Sequence, residues 1–337
     1  MHSVAARLQR DVAVVRQPGN DVRTRVCSSP RVSFSRVTNV VLIANPAAGR
    51  GAGARRIDVA RAAFASVGVS DVRLTGSPGD EARLVRAALD DGAQTLAILG
   101  GDGTWGKCAA AVAALAADVR LVFLKGGTGN DFAKNLPAPV SDLAAMARLA
   151  VDGGAEWHVD MGVVECGPER DWFLNVAGFG FDVAVLEQIA AQGALSGPLV
   201  YVAAALRQLF GYRGFRVAVA GRDAVARSLM LVASNGLNFG GAFRIAPLAK
   251  VTDGLLDVVH VGDVRGLARL PLFASALRGT HLKHPAVTSE RAASFTLRFD
   301  HPPAYEIDGE LRRARDNEVT VRCVPGVLRV LAGPTLP

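Results

Sequence analysis

The chain has 337 residues, half of them hydrophobic, and a formal charge of +7. That length leaves room for two cores, while the longest apolar runs, Cys108 to Ala117 and Leu199 to Leu206, fall well short of the ~18 residues a membrane-spanning helix needs. Seven Arg and two Asp in residues 1–37 carry +5 of the charge, leaving +2 for the other 300 residues, so the folded part lacks the basic clusters of a nucleic-acid surface.

Residues 1–37 read as a basic extension without a core of its own. Attraction to anionic lipid is the functional alternative. Cys27, Cys108, Cys166 and Cys323 stand far apart, with no CxxC or Cys/His cluster. That spacing predicts a reducing compartment, and neither a zinc site nor a disulfide framework. No stretch has the two-part pattern of a signal peptide, so a cytoplasmic location is expected.

The globular chain starts near Asn39. Val40 to Ala44 predicts a buried strand, followed by the Pro/Gly-punctuated loop Asn45-Pro46-Ala47-Ala48-Gly49-Arg50-Gly51. Ile57, Ala60, Phe64 and Val67 predict a helix that stops at Gly68, and Val72 to Thr75 a short strand. A second helix opens at Ser77–Glu81 and ends at Gly92. Thr95 to Leu99 then reads as a buried strand, Cys108 to Ala117 as a helix, and Leu121 to Leu124 as a further strand. This β-α-β-α-β-α-β order predicts a parallel sheet with helices on both faces. Ligands of such sheets sit beyond the carboxyl ends of the strands. Four loops fall there, at 45–51, 75–79, 100–104 and 126–131, and three are glycine-rich, which outlines a nucleotide site.

Between the central strand and its helix lies Gly100-Gly101-Asp102-Gly103-Thr104-Trp105-Gly106-Lys107. Its glycines let backbone approach a ligand, and the following helix start favours an anion. It fits a dinucleotide fingerprint, and also a Walker A loop up to Cys108, which replaces the hydroxyl that would hold magnesium. Neither pattern explains Asp102, a carboxylate in an anion cradle; it suits a group that handles a metal ion or a proton beside phosphates. Thr128 and Asn130 offer hydrogen bonds in the second glycine loop, whereas Asp131 reads chiefly as a helix cap.

Near Val151 the pattern changes to period two, as in Phe215/Val217/Val219, Phe295/Leu297/Phe299 and Val319/Val321/Cys323. Helical stretches at Phe181 to Ala191 and Gly197 to Phe210 interrupt it. The fold expected is an α/β nucleotide-binding domain over 38–151, then a mostly antiparallel β-rich domain over 152–337. The last strands of that domain are free to return to the first.

Six elements in order, Asn45-Pro46-x-x-Gly49, Gly100–Thr104, Gly127–Ala133, Gly178–Asp182, Ala246-Pro247 with Asp253–Asp257, and Asp308-Gly309-Glu310, resemble the diacylglycerol kinase catalytic family. That family includes sphingosine and ceramide kinases and soluble bacterial lipid kinases, and shares the glycine–aspartate element with NAD kinases. The resemblance runs from about residue 40 to 330. It implies ATP and magnesium as cofactors and transfer of phosphate to a lipid hydroxyl, such as that of diacylglycerol or a sphingoid lipid. A lipid met at a membrane surface, peripheral attachment and a homodimer are the partners it allows. By resemblance ATP is bound by Asn45, Pro46, Ala47, Ala48, Gly49, Thr75, Gly101, Asp102, Gly103, Thr104, Trp105, Gly106, Lys107, Thr128 and Asn130. Glu310 is implied as the general base and Asp102 as its catalytic partner. Asp182 is read as lining the acceptor site, with a helix cap as the equal alternative. A further magnesium is implied at Asp253 and the backbones of Lys250 and Leu255, where a hairpin turn is the alternative. Gly106-Lys107 departs from the family, exchanging a carboxylate for a cation beside the phosphates. A kinase of a soluble substrate and a non-catalytic nucleotide-binding protein are the competing functions.

Overall fold

The computed structural model describes residues 31–33, 39–49, 53–127, 129–191, 207–209, 211–219 and 226–333. Strands β1 (Arg31–Ser33), β2 (Val40–Ala44), β3 (Val72–Leu74), β4 (Thr95–Gly100) and β5 (Arg120–Lys125) come first, with helices α1 (Gly53–Ala65), α2 (Asp80–Asp90), α3 (Asp102–Ala114) and α4 (Leu143–Asp152) between and after them. β5, β4, β2 and β3 are parallel neighbours in that order. Because side chains alternate along a strand, Val41, Ile43, Leu96, Ile98, Leu121 and Phe123 face α2 and α3. Val40, Leu42, Ala97, Leu99, Val122 and Leu124 face α1 and α4. Each strand is apolar on both faces because helices cover both.

The second half is built of β6 (Gly154–Cys166), β7 (Glu169–Phe173), β8 (Val176–Gly180), β9 (Phe215–Val219), β10 (Ala226–Ser234), β11 (Leu256–Gly262), β12 (Val287–Ala292), β13 (Ser294–Phe299), β14 (Ala304–Ile307), β15 (Glu310–Arg313) and β16 (Glu318–Ala332). These strands pair antiparallel with one another. The period-two residues of β9, β13 and β16 close over one apolar cluster with Phe173, Phe179 and Tyr305. Helix α5 (Phe181–Ala191) follows β8, and α6 (Arg269–Leu277) follows β11. The long β16 runs antiparallel to β6, then pairs parallel with β5 at Arg329↔Arg120 and Val330↔Leu121. One strand therefore ties both halves into a continuous sheet.

Two expectations change. The extension does not stay free of the fold through residue 37, because β1 pairs antiparallel with β6 at Arg31↔Glu156, Val32↔Ala155 and Ser33↔Gly154. The helix read from Cys108 onward begins six residues earlier, at Asp102, and takes in most of the glycine stretch. The reason is Trp105, wholly buried, whose indole N–H donates to the Ile98 carbonyl at 3.1 Å and whose ring lies 5.1 Å from that of Phe123. Anchoring a side chain of that size outweighs the poor helix propensity of two glycines. Most of the helix read at Gly197 to Phe210, with its apolar core Leu199 to Leu206, lies outside the described residues.

Candidate active site

The parallel strands end on one rim, and the loops there are bound to each other. Asn45 follows β2; its Oδ1 accepts from the Ala47 N–H at 2.9 Å, fixing the turn Pro46-Ala47-Ala48-Gly49, while its Nδ2 donates to the Thr104 hydroxyl at 2.9 Å. Gly49 at the end of that turn has φ +64°. Thr75, after β3, is buried, and its N–H donates to the Ala44 carbonyl at 3.0 Å. The two glycine loops touch backbone to backbone. Gly126 and Gly127 both donate to the Gly100 carbonyl, and a Cβ on Gly127 would come within 2.6 Å of the Gly101 Cα. No side chain larger than hydrogen fits at that crossing. Asn130, left-handed at φ +49°, donates from Nδ2 to the same Gly100 carbonyl, so it is a clamp between loops rather than a free donor. Its buried Oδ1 has no partner among the described residues. Thr128 lies outside the described residues.

Helix α3 starts on this rim. Its first backbone hydrogen bond runs from the Trp105 N–H to the Gly101 carbonyl, so the N–H groups of Asp102, Gly103 and Thr104 have no partner within the helix. Nothing lies within 4 Å of where a Gly103 Cβ would stand, so this end is open. The Asp102 carboxylate accepts from the Phe132 N–H at 3.1 Å. Burial pushes its pKa up; backbone N–H groups of Phe132, Asp131 and Asn130 oppose that shift, and the charge of Asp131 adds to it. Trp105, one of the residues implied for ATP, points into the core and away from the rim. Asp131 does not cap the short helix after it. Its carboxylate accepts from the Gly241 N–H at 2.6 Å and pairs with Lys134 at 2.6 Å, holding the loop to the second half.

The acid at the start of β15 is carried to α3 by a hairpin turn. β14 and β15 are joined through Asp308 and Gly309, at φ +48° and +88°. The Asp308 carboxylate accepts from the N–H groups of Leu174, Asn175 and Val176 at 2.7, 2.9 and 3.0 Å. Burial and the nearby Asp102 charge drive its pKa up to about 6 against these donors. The turn presses on α3 where that helix lacks a side chain: a Cβ on Gly106 would stand 2.9 Å from Asp308 Oδ2. The next residue, Lys107, forms an ion pair with Glu310, and Arg312 Nη2 holds the other Glu310 oxygen at 3.0 Å. Partial burial raises the Glu310 pKa, but the hydrogen bonds and charges of Lys107 and Arg312 outweigh it and hold the carboxyl below the usual range. Glu306, Asp308 and Glu310 are thus not three solvated acids on one face. Glu306 is wholly buried, Asp308 anchors the turn through three backbone N–H groups, and Glu310 is half-buried against Lys107 and Arg312.

Asp182 lies in the first turn of α5 and is buried, with both carboxylate oxygens unpartnered among the described residues. It caps nothing. A Cβ on Gly178 would meet Asp182 Oδ2 at 1.7 Å and Glu306 Oε1 at 2.9 Å, so the two carboxylates lean together over that glycine. Burial lifts Asp182 to about 7, and burial with the neighbouring Asp182 charge lifts Glu306 well above its ordinary value. Sequence reading missed Glu306, whose partner across the sheet is set by the register Glu306↔Gly178.

At the implied magnesium site of Lys250, Asp253 and Leu255, the Asp253 carboxylate has protein partners. Asp253 Oδ1 accepts from the Leu255 N–H at 3.1 Å, and its other oxygen pairs with the Arg291 guanidinium, which also reaches Asp257 at 3.2 Å. The positive charge there comes from Arg291. Among the described residues no cluster of three His, Cys, Asp or Glu side chains is arranged to hold a metal. Cys108 is wholly buried, and burial pushes its thiol far up, so it is no ligand either.

Two family models match this chain: the diacylglycerol kinase catalytic domain over residues 39–164, and the YegS C-terminal NAD kinase beta sandwich-like domain over residues 175–332. A protein named "Diacylglycerol kinase" from Mycobacterium tuberculosis (strain ATCC 25618 / H37Rv) is 30% identical over 301 residues, covering 88% of this chain and 95% of its own. One named "Probable lipid kinase YegS-like" from Cronobacter sakazakii is 30% identical over 273 residues, covering 79% and 87%. These spans take in both halves, so the likeness is not that of one borrowed domain. The crystal structure of a diacylglycerol kinase from Bacillus anthracis str. Sterne is similar in fold, with a TM-score of 0.62 at 19% identity over 88% of this chain and 97% of that one.

Proposed function

The chain belongs to the diacylglycerol kinase catalytic family, whose members are lipid kinases and so alcohol phosphotransferases, and on that premise we propose that it transfers the γ-phosphate of ATP to a lipid hydroxyl in the cleft between its halves. One observation carries the proposal. The acid of the second half, Glu310, sits on Lys107, a turn and a half along the helix whose open N-terminus ends the glycine loops. The candidate base thus contacts the same helix whose start is the candidate phosphate cradle.

The N–H groups of Asp102, Gly103 and Thr104, with the positive end of the helix dipole, are suited to the ATP phosphates. The Asn45–Thr104 hydrogen bond ties the two flanking loops together beside that helix start. Magnesium accompanying ATP would supply charge neutralisation on the phosphates, and the half-buried Asp102 at the helix start is the carboxylate that would hold it.

Transfer needs an acceptor oxygen stripped of its proton. Glu310 takes that proton as the lipid oxygen forms its bond to the γ-phosphorus. The bond from that phosphorus to the bridging oxygen breaks, and ADP leaves with the electron pair. Glu310, neutral after the transfer, releases the Lys107 ammonium toward the phosphates. Asp182 is the residue we assign to the acceptor side, with the wholly buried Glu306 packed behind it. Incubation with γ-labelled ATP and a panel of diacylglycerol, ceramide and sphingoid bases in detergent tests the proposal. It predicts label in one lipid class; label only in a soluble acceptor, or none, would overturn it.

A further inference from the structure

Helix α6 turns an unpartnered apolar face outward. Leu267, in the short turn before the helix, is 71% exposed, Leu270 42% and Leu277 46%. Ala274, also exposed, lies between the last two. The spacing 267, 270, 274, 277 is one stripe of a helix. The opposite side is the buried one, through Leu272 and Ala276. Leu248, 63% exposed, extends the patch: Gly279 just past the helix abuts Pro247 and Arg244. Single exposed leucines need no explanation, but a stripe of three with a fourth beside it marks a contact surface.

Charge says what the surface meets. Residues 264–286 contain Arg265, Arg269, Arg278 and Lys283 and no Asp or Glu. Arg244, Arg278 and Lys283 are exposed, and no described carboxylate pairs with them. Apolar side chains ringed by unpaired cations match a bilayer interface bearing anionic lipid. The helix is held firmly enough to present that face, since the buried Arg269 guanidinium donates to the carbonyls of Val264, Leu209 and Tyr212. Its inner side also reaches the acceptor region: the Phe273 ring lies 5.0 Å from Phe181, the residue before Asp182.

We propose that the Leu267–Leu270–Leu277 face of α6, with Leu248 and its rim of Arg244, Arg278 and Lys283, docks on an anionic bilayer and sets the acceptor side of the cleft at the lipid surface. This rests on the lipid-kinase reading above, and deepens it by naming the surface from which the substrate is taken.

The test uses the full chain and two variants, Leu267→Gln/Leu270→Gln/Leu277→Gln and Arg244→Gln/Arg278→Gln/Lys283→Gln. Flotation is measured on phosphatidylcholine vesicles with and without about one-third phosphatidylglycerol, and turnover on detergent-dispersed lipid. Wild type should float with the anionic vesicles and much less with the neutral ones. The leucine variant should bind at least about tenfold more weakly. The basic variant should lose its preference for anionic lipid and resemble wild type in high salt. Turnover in detergent should stay within a few-fold for both. The arginines of residues 1–37 are present throughout, so differences between variants report the helix face. Unchanged flotation of the folded leucine variant would overturn the proposal. So would a leucine variant that turns a dimer into a monomer while still floating, since the face would then join two copies. Absence of lipid turnover by wild type in detergent would count against the lipid-kinase reading instead, whatever the vesicles show.

Discussion

Gly106→Ala separates the stability of α3 from the placement of the proposed base. A methyl there stands 2.9 Å from Asp308 Oδ2, against ordinary contact from 3.4 Å, so full relief needs the turn to retreat by about 3.4 − 2.9 = 0.5 Å. Asp308 cannot swing aside, because three backbone N–H groups fix its carboxylate. Overpacking of this kind costs roughly 1–3 kcal/mol, and replacing a helical glycine by alanine returns about 1 kcal/mol. The net loss should be roughly 0–2 kcal/mol, small enough for the variant to fold. Glu310, two residues beyond Asp308, moves with the turn. A displacement near 1 Å costs on the order of 100-fold in rate, so half of that predicts a kcat lower by about tenfold with ATP affinity nearly unchanged. Urea unfolding, ATP titration calorimetry and steady-state lipid phosphorylation read the three quantities. A folded variant with kcat within twofold of wild type would refute the idea that this contact sets the base.

Gly103→Ala is the counterpart. No atom lies within 4 Å of the new methyl, so stability should hold or rise slightly, while KM for ATP increases several-fold because the methyl stands on the open helix end; steady-state kinetics with a melting curve checks both. Asp182→Asn should show a pH-dependent gain. The unfolded carboxyl releases its proton near 3.8 and the folded one near 7, so wild-type stability falls as pH rises across that window. The variant should come close to wild type near pH 4 and exceed it at pH 8 by on the order of 4 kcal/mol, read by denaturant unfolding at both pH values. A gain independent of pH would mean the carboxylate is not the source.

Much of the fold is legible because its signals are local. Fully apolar runs such as Val40 to Ala44 announce strands covered on both faces, and the glycines at 100–101 and 126–127 mark the loop crossing, which is closed to a side chain at Gly127. What escapes is set by distant partners. Asp131 looks like a cap until Gly241 takes its carboxylate. The early start of α3 depends on a core that accepts Trp105. Lys107 stands out in sequence as a departure, yet its partner Glu310 is known only once the hairpin folds back on Gly106. Glu306 alternates like a solvated acid, and only its pairing beside Gly178 shows that it is buried with Asp182. At Asp253 the local turn is as expected, but Arg291 from another strand supplies the charge that a cation would bring.

The measurement that bears most directly on the proposed reaction is kcat of Glu310→Gln on its best lipid acceptor, with ATP affinity measured on the same protein. The side chain keeps its size and its contact with Lys107 but loses its basicity. A lipid hydroxyl is a weak nucleophile near neutral pH, so kcat should fall by roughly 100- to 10,000-fold, with ATP affinity within a few-fold of wild type. A kcat within a few-fold of wild type would contradict the account and move the search for the base to Asp102.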